Sequence, residues 1–125
     1  MLTHGGKTMQ AENVESNVKI ANDVVGKIAT IAALEADGVA AMGNNITTEV
    51  LSKVGMKNIM KNVKVDIFGH DVKIDILITV KYGINIPAVS SVVQDKIKQA
   101  VENMTSLSVS DVNVRIAGID LPENR

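Results

Sequence analysis

The sequence contains no cysteine. Disulfide frameworks, thiolate zinc sites, iron–sulfur ligation and cysteine nucleophiles are thereby excluded. Tryptophan is also absent, and the only aromatic residues are Phe68 and Tyr82, which leaves few platforms for stacking bases or sugars. Nor does charge of one sign dominate. Thirteen Lys and Arg stand against 14 Asp and Glu, a net charge of −1, so no global field draws the chain onto nucleic acid. No apolar run approaches the roughly 20 residues that a membrane-spanning helix needs. The stretch from Met1 to Asn17 lacks the apolar centre of a signal peptide. A cytoplasmic protein without direct membrane insertion is expected, and any membrane association would go through a partner.

What is present is a chain of 125 residues, enough for one domain with an aliphatic core and no need of metal or disulfides. Its organising stretch begins at Val72. Val72, Ile74, Ile76, Ile78, Val80 and Tyr82 alternate with Lys73, Asp75, Thr79 and Lys81, and Leu77 is the one apolar residue on the second face. A period of two in β-branched residues predicts a half-buried strand. The turn Gly83-Ile84-Asn85-Ile86-Pro87 follows. Gly83 opens backbone angles closed to other residues, and Pro87 suits a first helical turn, where a missing N–H costs nothing. Val89, Val93, Ile97, Ala100, Val101 and Met104 then form one buried helical stripe.

Residues 1–16 read as a mobile tail that carries His4, and Val18 and Ile20 as a short extended stretch. Asn22 and Asp23 supply a helix start. Val24, Val25, Ile28, Ile31, Ala32 and Glu35 map that helix, Lys27, Thr30 and Asp37 face water, and Gly38 ends it. Val39 to Met42 is extended. Between 43 and 62, Thr47 or Thr48 could cap a helix holding Val50, Leu51 and Val54, broken at Gly55 and resumed through Ile59 and Met60. Lys53, Lys57, Lys61 and Lys64 make a local basic cluster, read as a solvated face. Val63, Val65 and Ile67 alternate with Lys64, Asp66 and Phe68 in a second strand. Gly69-His70-Asp71 is a hairpin loop, and His70 is a turn residue rather than a ligand. The last strand alternates Val112, Val114 and Ile116 with Asn113, Arg115 and Ala117. Gly118 to Arg125 reads as a polar tail. The domain is set at 17–119, with tails at 1–16 and 120–125.

The economical packing is an α+β two-layer sandwich, a small mixed sheet with two long helices on one face. A ferredoxin-like order is the nearest alternative topology. The other sheet face, with Lys64, Asp66, Phe68, Lys73, Asp75, Leu77, Thr79, Lys81, Asn113, Arg115 and Ala117, is left to solvent. Phe68, Leu77 and Arg115 on it are the candidate protein-interaction residues. No Ser/His/Asp set, phosphate-cradling glycine loop or metal-ligand spacing occurs. No catalytic, cofactor-binding or metal residue is therefore assigned.

Three stretches resemble one bacterial family. They are Val18-Lys19-Ile20 leading into Asp23-Val24-Val25-Gly26-Lys27-Ile28-Ala29 and Ala33-Leu34-Glu35-Ala36-Asp37-Gly38-Val39; then Val80-Lys81-Tyr82-Gly83-Ile84-Asn85-Ile86-Pro87; and Val101-Glu102-Asn103-Met104-Thr105 with Val109 and Val112-Asn113-Val114. Together they are similar to the alkaline-shock, Gls-type envelope stress response proteins. Ser106 and Asn62 stand where that family commonly has glycine. The resemblance implies a protein without enzymatic chemistry that acts by protein–protein contact. It implies self-association, and a place beneath the membrane through a small membrane-anchored partner. Gly83, Asn85 and Pro87 carry a structural turn in that reading. The alternative is a small RNA-binding module of KH-like or RRM-like type. The KH clamp needs two glycines around a basic middle, which this chain lacks, and an RRM needs exposed sheet aromatics, for which only Phe68 is available.

Overall fold

The computed structural model describes residues 21–43 and 46–121. The tail at 1–16, His4, the stretch at Val18 and Ile20, and residues 122–125 lie outside the described residues. The sheet is built on β3 (Asp71–Lys81). Along one edge of β3 runs β4 (Ser108–Asp120), parallel to it. Along the other lie two shorter antiparallel strands, end to end. β2 (Val63–Phe68) pairs with residues 71–76 of β3, and β1 (Val39–Met42) pairs with residues 78–80. The sheet is therefore mixed. The α1 helix covers residues 21–35, α2 is a single turn at Met56–Ile59, and α3 (Ile86–Met104) is the crossover between the parallel strands.

The alternation along β3 sets the core. Val72, Ile74, Ile76, Ile78 and Val80 are all buried, as are Val63 and Val65 of β2 and Val109 and Val112 of β4. Val89, Val93, Ile97 and Val101 of α3 join them in one cluster, with Val25, Ala29 and Ala33 of α1 and Ala36 just after it. Both helices thus share one face of the sheet. They run antiparallel. Gly38, just after α1, abuts Val89 at the start of α3, whereas Asp23 and Met104 at the opposite ends line one groove. Alanines on the inner side of α1 give it little bulk, which permits close packing.

Local chemistry fixes the connections. Phe68 pairs with Asp71, so the hairpin loop is the two residues Gly69 and His70. Gly69 has φ +63°, and among the described residues no non-glycine residue is left-handed, which matches a type II′ turn with glycine first. At the other end of β3, Gly83 takes φ +84°. Asn85 then caps α3, its side chain accepting from the Ala88 N–H at 3.0 Å, and Pro87 sits in the first turn. Replacing Asn85 by alanine is expected to cost about 0.5–2 kcal/mol, read as a lower urea midpoint with an unchanged slope.

Several expectations are corrected by packing. Residue 21 is already helical, so Asn22 lies inside α1 rather than at its cap. Thr30 is buried, not solvent-facing, because its hydroxyl donates to the Gly26 carbonyl at 2.8 Å. Thr79, placed on the solvated face, is also buried, with its hydroxyl donating to the Gly43 carbonyl where β1 abuts the sheet. Tyr82 and Met104, expected inside, project at the ends of their elements and are exposed. Among its described residues, the 43–62 segment holds a 3-10 turn at Leu51–Lys53 and the four-residue α2 as its helical elements. Neither has a side-chain cap, so Thr47 and Thr48 do not start a helix. Strand β4 continues through Gly118 to Asp120. A register shift at Ala117 re-pairs Gly118, Ile119 and Asp120 with Thr79, Val80 and Lys81.

Candidate interaction surfaces

Two surfaces among the described residues bear on contact with other molecules. The first is the outer sheet face. Lys64 stands opposite Asp75, Asp66 opposite Lys73, and Lys73 opposite Asp111 on the other side. Cross-strand neighbours of opposite sign stabilise such a face modestly and keep it wet. Leu77 and Arg115 are register partners on β3 and β4, so the structure brings these two together. Leu77 is only half-exposed while Arg115 is open. Phe68 is well exposed but ends β2 opposite Asp71. Six positions of extended chain separate Asp71 from Leu77, about 20 Å. The three residues therefore do not form one patch.

The second surface lies on the helical layer. Helix α1 is apolar over a wider arc than the sheet can cover. Val25, Ala29 and Ala33 point inward, but Val24 is 45% and Ile31 38% exposed. With Ile28, Met56 of α2, and Ala100 and Met104 of α3 they line a half-open groove of about 390 Å³. Met104, 72% exposed, forms its far wall. Asp23, Lys27 and Glu35 stand on the rim. Beside Asp23 a second hollow continues between Met56, Lys57, Met60 and Lys61. Flexible methionines at an open apolar site are adaptable packing partners.

Among the described residues no group of three or more His, Asp or Glu side chains is placed to hold a metal ion. His70 is exposed in its turn, and its backbone carbonyl accepts from Ser108 N–H at 2.7 Å. No described helix is long and apolar enough to cross a membrane.

The groove was missed because Val24, Ile31 and Met104 fit the periodicity of a buried stripe. A signal was present, however. Apolar residues at 21, 24, 25, 28, 29, 31, 32, 33 and 34 occupy more than the arc that one contact face uses.

Comparison with known proteins agrees with the resemblance already noted. The model of the Asp23 family (a family name, not the residue at position 23), described by its cell envelope-related function, matches residues 10–121. YqhY of Bacillus subtilis, a protein named as uncharacterized, is 45% identical over 82% of this chain and 76% of its own length. YloU of the same organism, likewise named uncharacterized, is 34% identical over 82% of this chain and 87% of its own. Spy1535 of Streptococcus pyogenes serotype M6 is 28% identical over 82% and 78%. With almost the whole described domain inside the match, the chain belongs to the Asp23 family, the alkaline shock proteins, whose function is related to the cell envelope.

Proposed function

We propose that the protein is a non-enzymatic member of the cell-envelope stress response that works by protein–protein contact. In this reading it self-associates and is held beneath the membrane by a small membrane-anchored partner. The observation that carries the reading is the groove between α1 and α3, open and almost wholly apolar on a small chain whose other face is charged. Contiguous exposed apolar surface with a polar rim suits a contact site. Family membership supports the envelope setting. RNA binding has weaker support. The outer sheet face carries Phe68 as its one aromatic side chain, at a corner beside Asp71, and the surrounding charges are of both signs.

Within this reading Leu77 and Arg115 form a second, polar contact on the sheet, and Phe68 a separate one. The test is sedimentation of the full chain over a range of concentrations, together with its retention of membrane proteins from solubilised envelopes. Assembly above the monomer mass and specific retention of one small integral protein are the expected results. Leu77→Lys and Arg115→Glu should weaken at least one of the two without unfolding the chain. A strictly monomeric chain that retains no membrane protein would overturn the proposal.

A further inference from the structure

The sheet has one long free edge. Strand β4 runs for 13 residues, and among the described residues β3 is the one strand that pairs with it. Helix α3 closes the first half of its outer edge. Glu102 Oε2 accepts from the Val109 N–H at 2.8 Å, and Gln94 Nε2 donates to the Val112 carbonyl at 3.0 Å. From residue 113 onward no described side chain bonds the strand's backbone.

These hydrogen bonds also fix which backbone groups face outward. The Val112 carbonyl points out toward Gln94, so a period of two turns the backbone groups of Val114 and Ile116 the same way. After the register shift at Ala117, the Asp120 carbonyl accepts from Tyr82 N–H and so points inward. Ile119 therefore faces outward again. The side chains of the same residues lie on the helical face, since Val114, Ile116 and Ile119 pair with the buried Ile76, Ile78 and Val80. That apolar margin is progressively uncovered along the strand. Val112 is buried, Val114 and Ile116 are half-buried, and Ile119 and Leu121 are 49% and 62% exposed. Edge strands are commonly blunted by proline or lysine. Residues 113–119 contain neither, and Arg115 is their one charge. Arg115 stands on the outer face opposite Leu77, whereas Asp75, on the diagonal, is opposed by Lys64.

We propose that this edge is a peptide-binding site, where an extended segment of another protein adds as a short strand beside Val114 and Ile116. Its apolar side chains, at alternate positions, continue the margin on the helical face, and a carboxylate between them faces Arg115. The shift at Ala117 limits regular pairing to about five residues. Main-chain bonds supply the affinity, and the alternate side chains supply the selectivity. A second copy is the poorer occupant, because its own free stretch, 113–119, holds no carboxylate to meet Arg115. The proposal rests on the contact reading above and gives it a pairing mode and a partner chemistry.

The test is titration of the full, isotope-labelled chain with a capped peptide of the pattern threonine, valine, glutamate, valine, threonine. Saturable binding in the millimolar range or tighter is expected, with the Val114 and Ile116 amides gaining protection from hydrogen exchange. Two methylated peptides probe the main chain, one methylated on the valine nitrogens and the other on the glutamate and threonine nitrogens. One of them should bind roughly tenfold or more weakly and the other unchanged, because only one set faces β4. Loss confined to the valine set marks an antiparallel strand, and loss confined to the other set a parallel one. Arg115→Glu, at an exposed position, should fold normally by thermal unfolding. It should weaken binding roughly threefold to tenfold and favour the peptide with lysine in place of glutamate. No saturable binding, no protection at Val114 and Ile116, or equal effects of the two methylated peptides overturns the edge site. The contact reading then stands or falls separately, on sedimentation and retention of membrane proteins. Protection without peptide that grows with chain concentration would give the edge to a second copy, and protection independent of concentration would show it filled from within the chain. Either result also overturns the proposal.

Discussion

Truncating Ile76 to alanine is expected to lower the free energy of unfolding by about 2–5 kcal/mol, the usual range for a large aliphatic side chain lost from a packed core. Ile76 has no exposed surface and sits mid-strand in β3, with Val63 of β2 on one side and Val114 of β4 on the other. It belongs to the cluster that holds Val93 and Ile97 of α3. Flanked by strands on both edges and covered by helices, the site has little room to collapse around a cavity. Domains of this size are stable by only about 5–15 kcal/mol, so the loss is a large share. Urea unfolding should show the midpoint falling with the slope unchanged. Leu77→Ala, on the opposite face and half-exposed, is the internal control and should cost clearly less. Equal losses at the two positions would mean that the two faces of β3 are not distinguished by burial.

That contrast between neighbouring positions was legible in the sequence, because a strand has a period of two and a single parity decides every face. The five buried aliphatic residues of β3, the hairpin at Gly69 and the capped start of α3 are all local patterns. Helix α1 was less legible. Its nine apolar positions admit several orientations, and only packing against the sheet decides that Val25 turns inward while Val24 and Ile31 stay out. The periodicity located the helix but not its free face, and the groove lies on that free face. Thr30 and Thr79 show a different limit. Each looks polar and solvent-facing, yet each is buried with its hydroxyl donating to a backbone carbonyl, at Gly26 and Gly43. One partner is a turn away and the other 36 positions earlier in the chain, and no windowed pattern registers the second. The late extension of β4 has a similar cause. Two register shifts against β3 insert residues that break strict alternation, so Gly118 and Asp120 read as a tail. The candidate contact residues fared according to pairing. Leu77 and Arg115 meet because their strands are in register, whereas Phe68 belongs to the other end of the sheet.

The junction that ties the helical layer to the sheet supplies the second large effect. Gly38→Ala is expected to destabilise the fold by about 2–5 kcal/mol, from two separate causes. Gly38 has φ +94°, a conformation that costs an L-residue about 1–2 kcal/mol. A methyl group there would also lie 2.6 Å from Val89 Cγ2, and overpacking of this kind adds about 1–3 kcal/mol. Val89 is itself buried at the first turns of α3 and has little freedom to withdraw. The Gly38 carbonyl accepts from Lys81 N–H at 2.8 Å, so the backbone cannot swing away without releasing the end of β3. The two causes can be separated by a double-mutant cycle with Val89→Ala. Shortening Val89 should remove the collision but not the backbone strain. Gly38→Ala should therefore cost less in that background, and the remainder should fall near the strain value. Thermal or urea unfolding of the four proteins gives all the terms. A cost identical in both backgrounds would show that Val89 does not press on this turn, and a cost near zero in both would show that neither the contact nor the left-handed backbone constrains it.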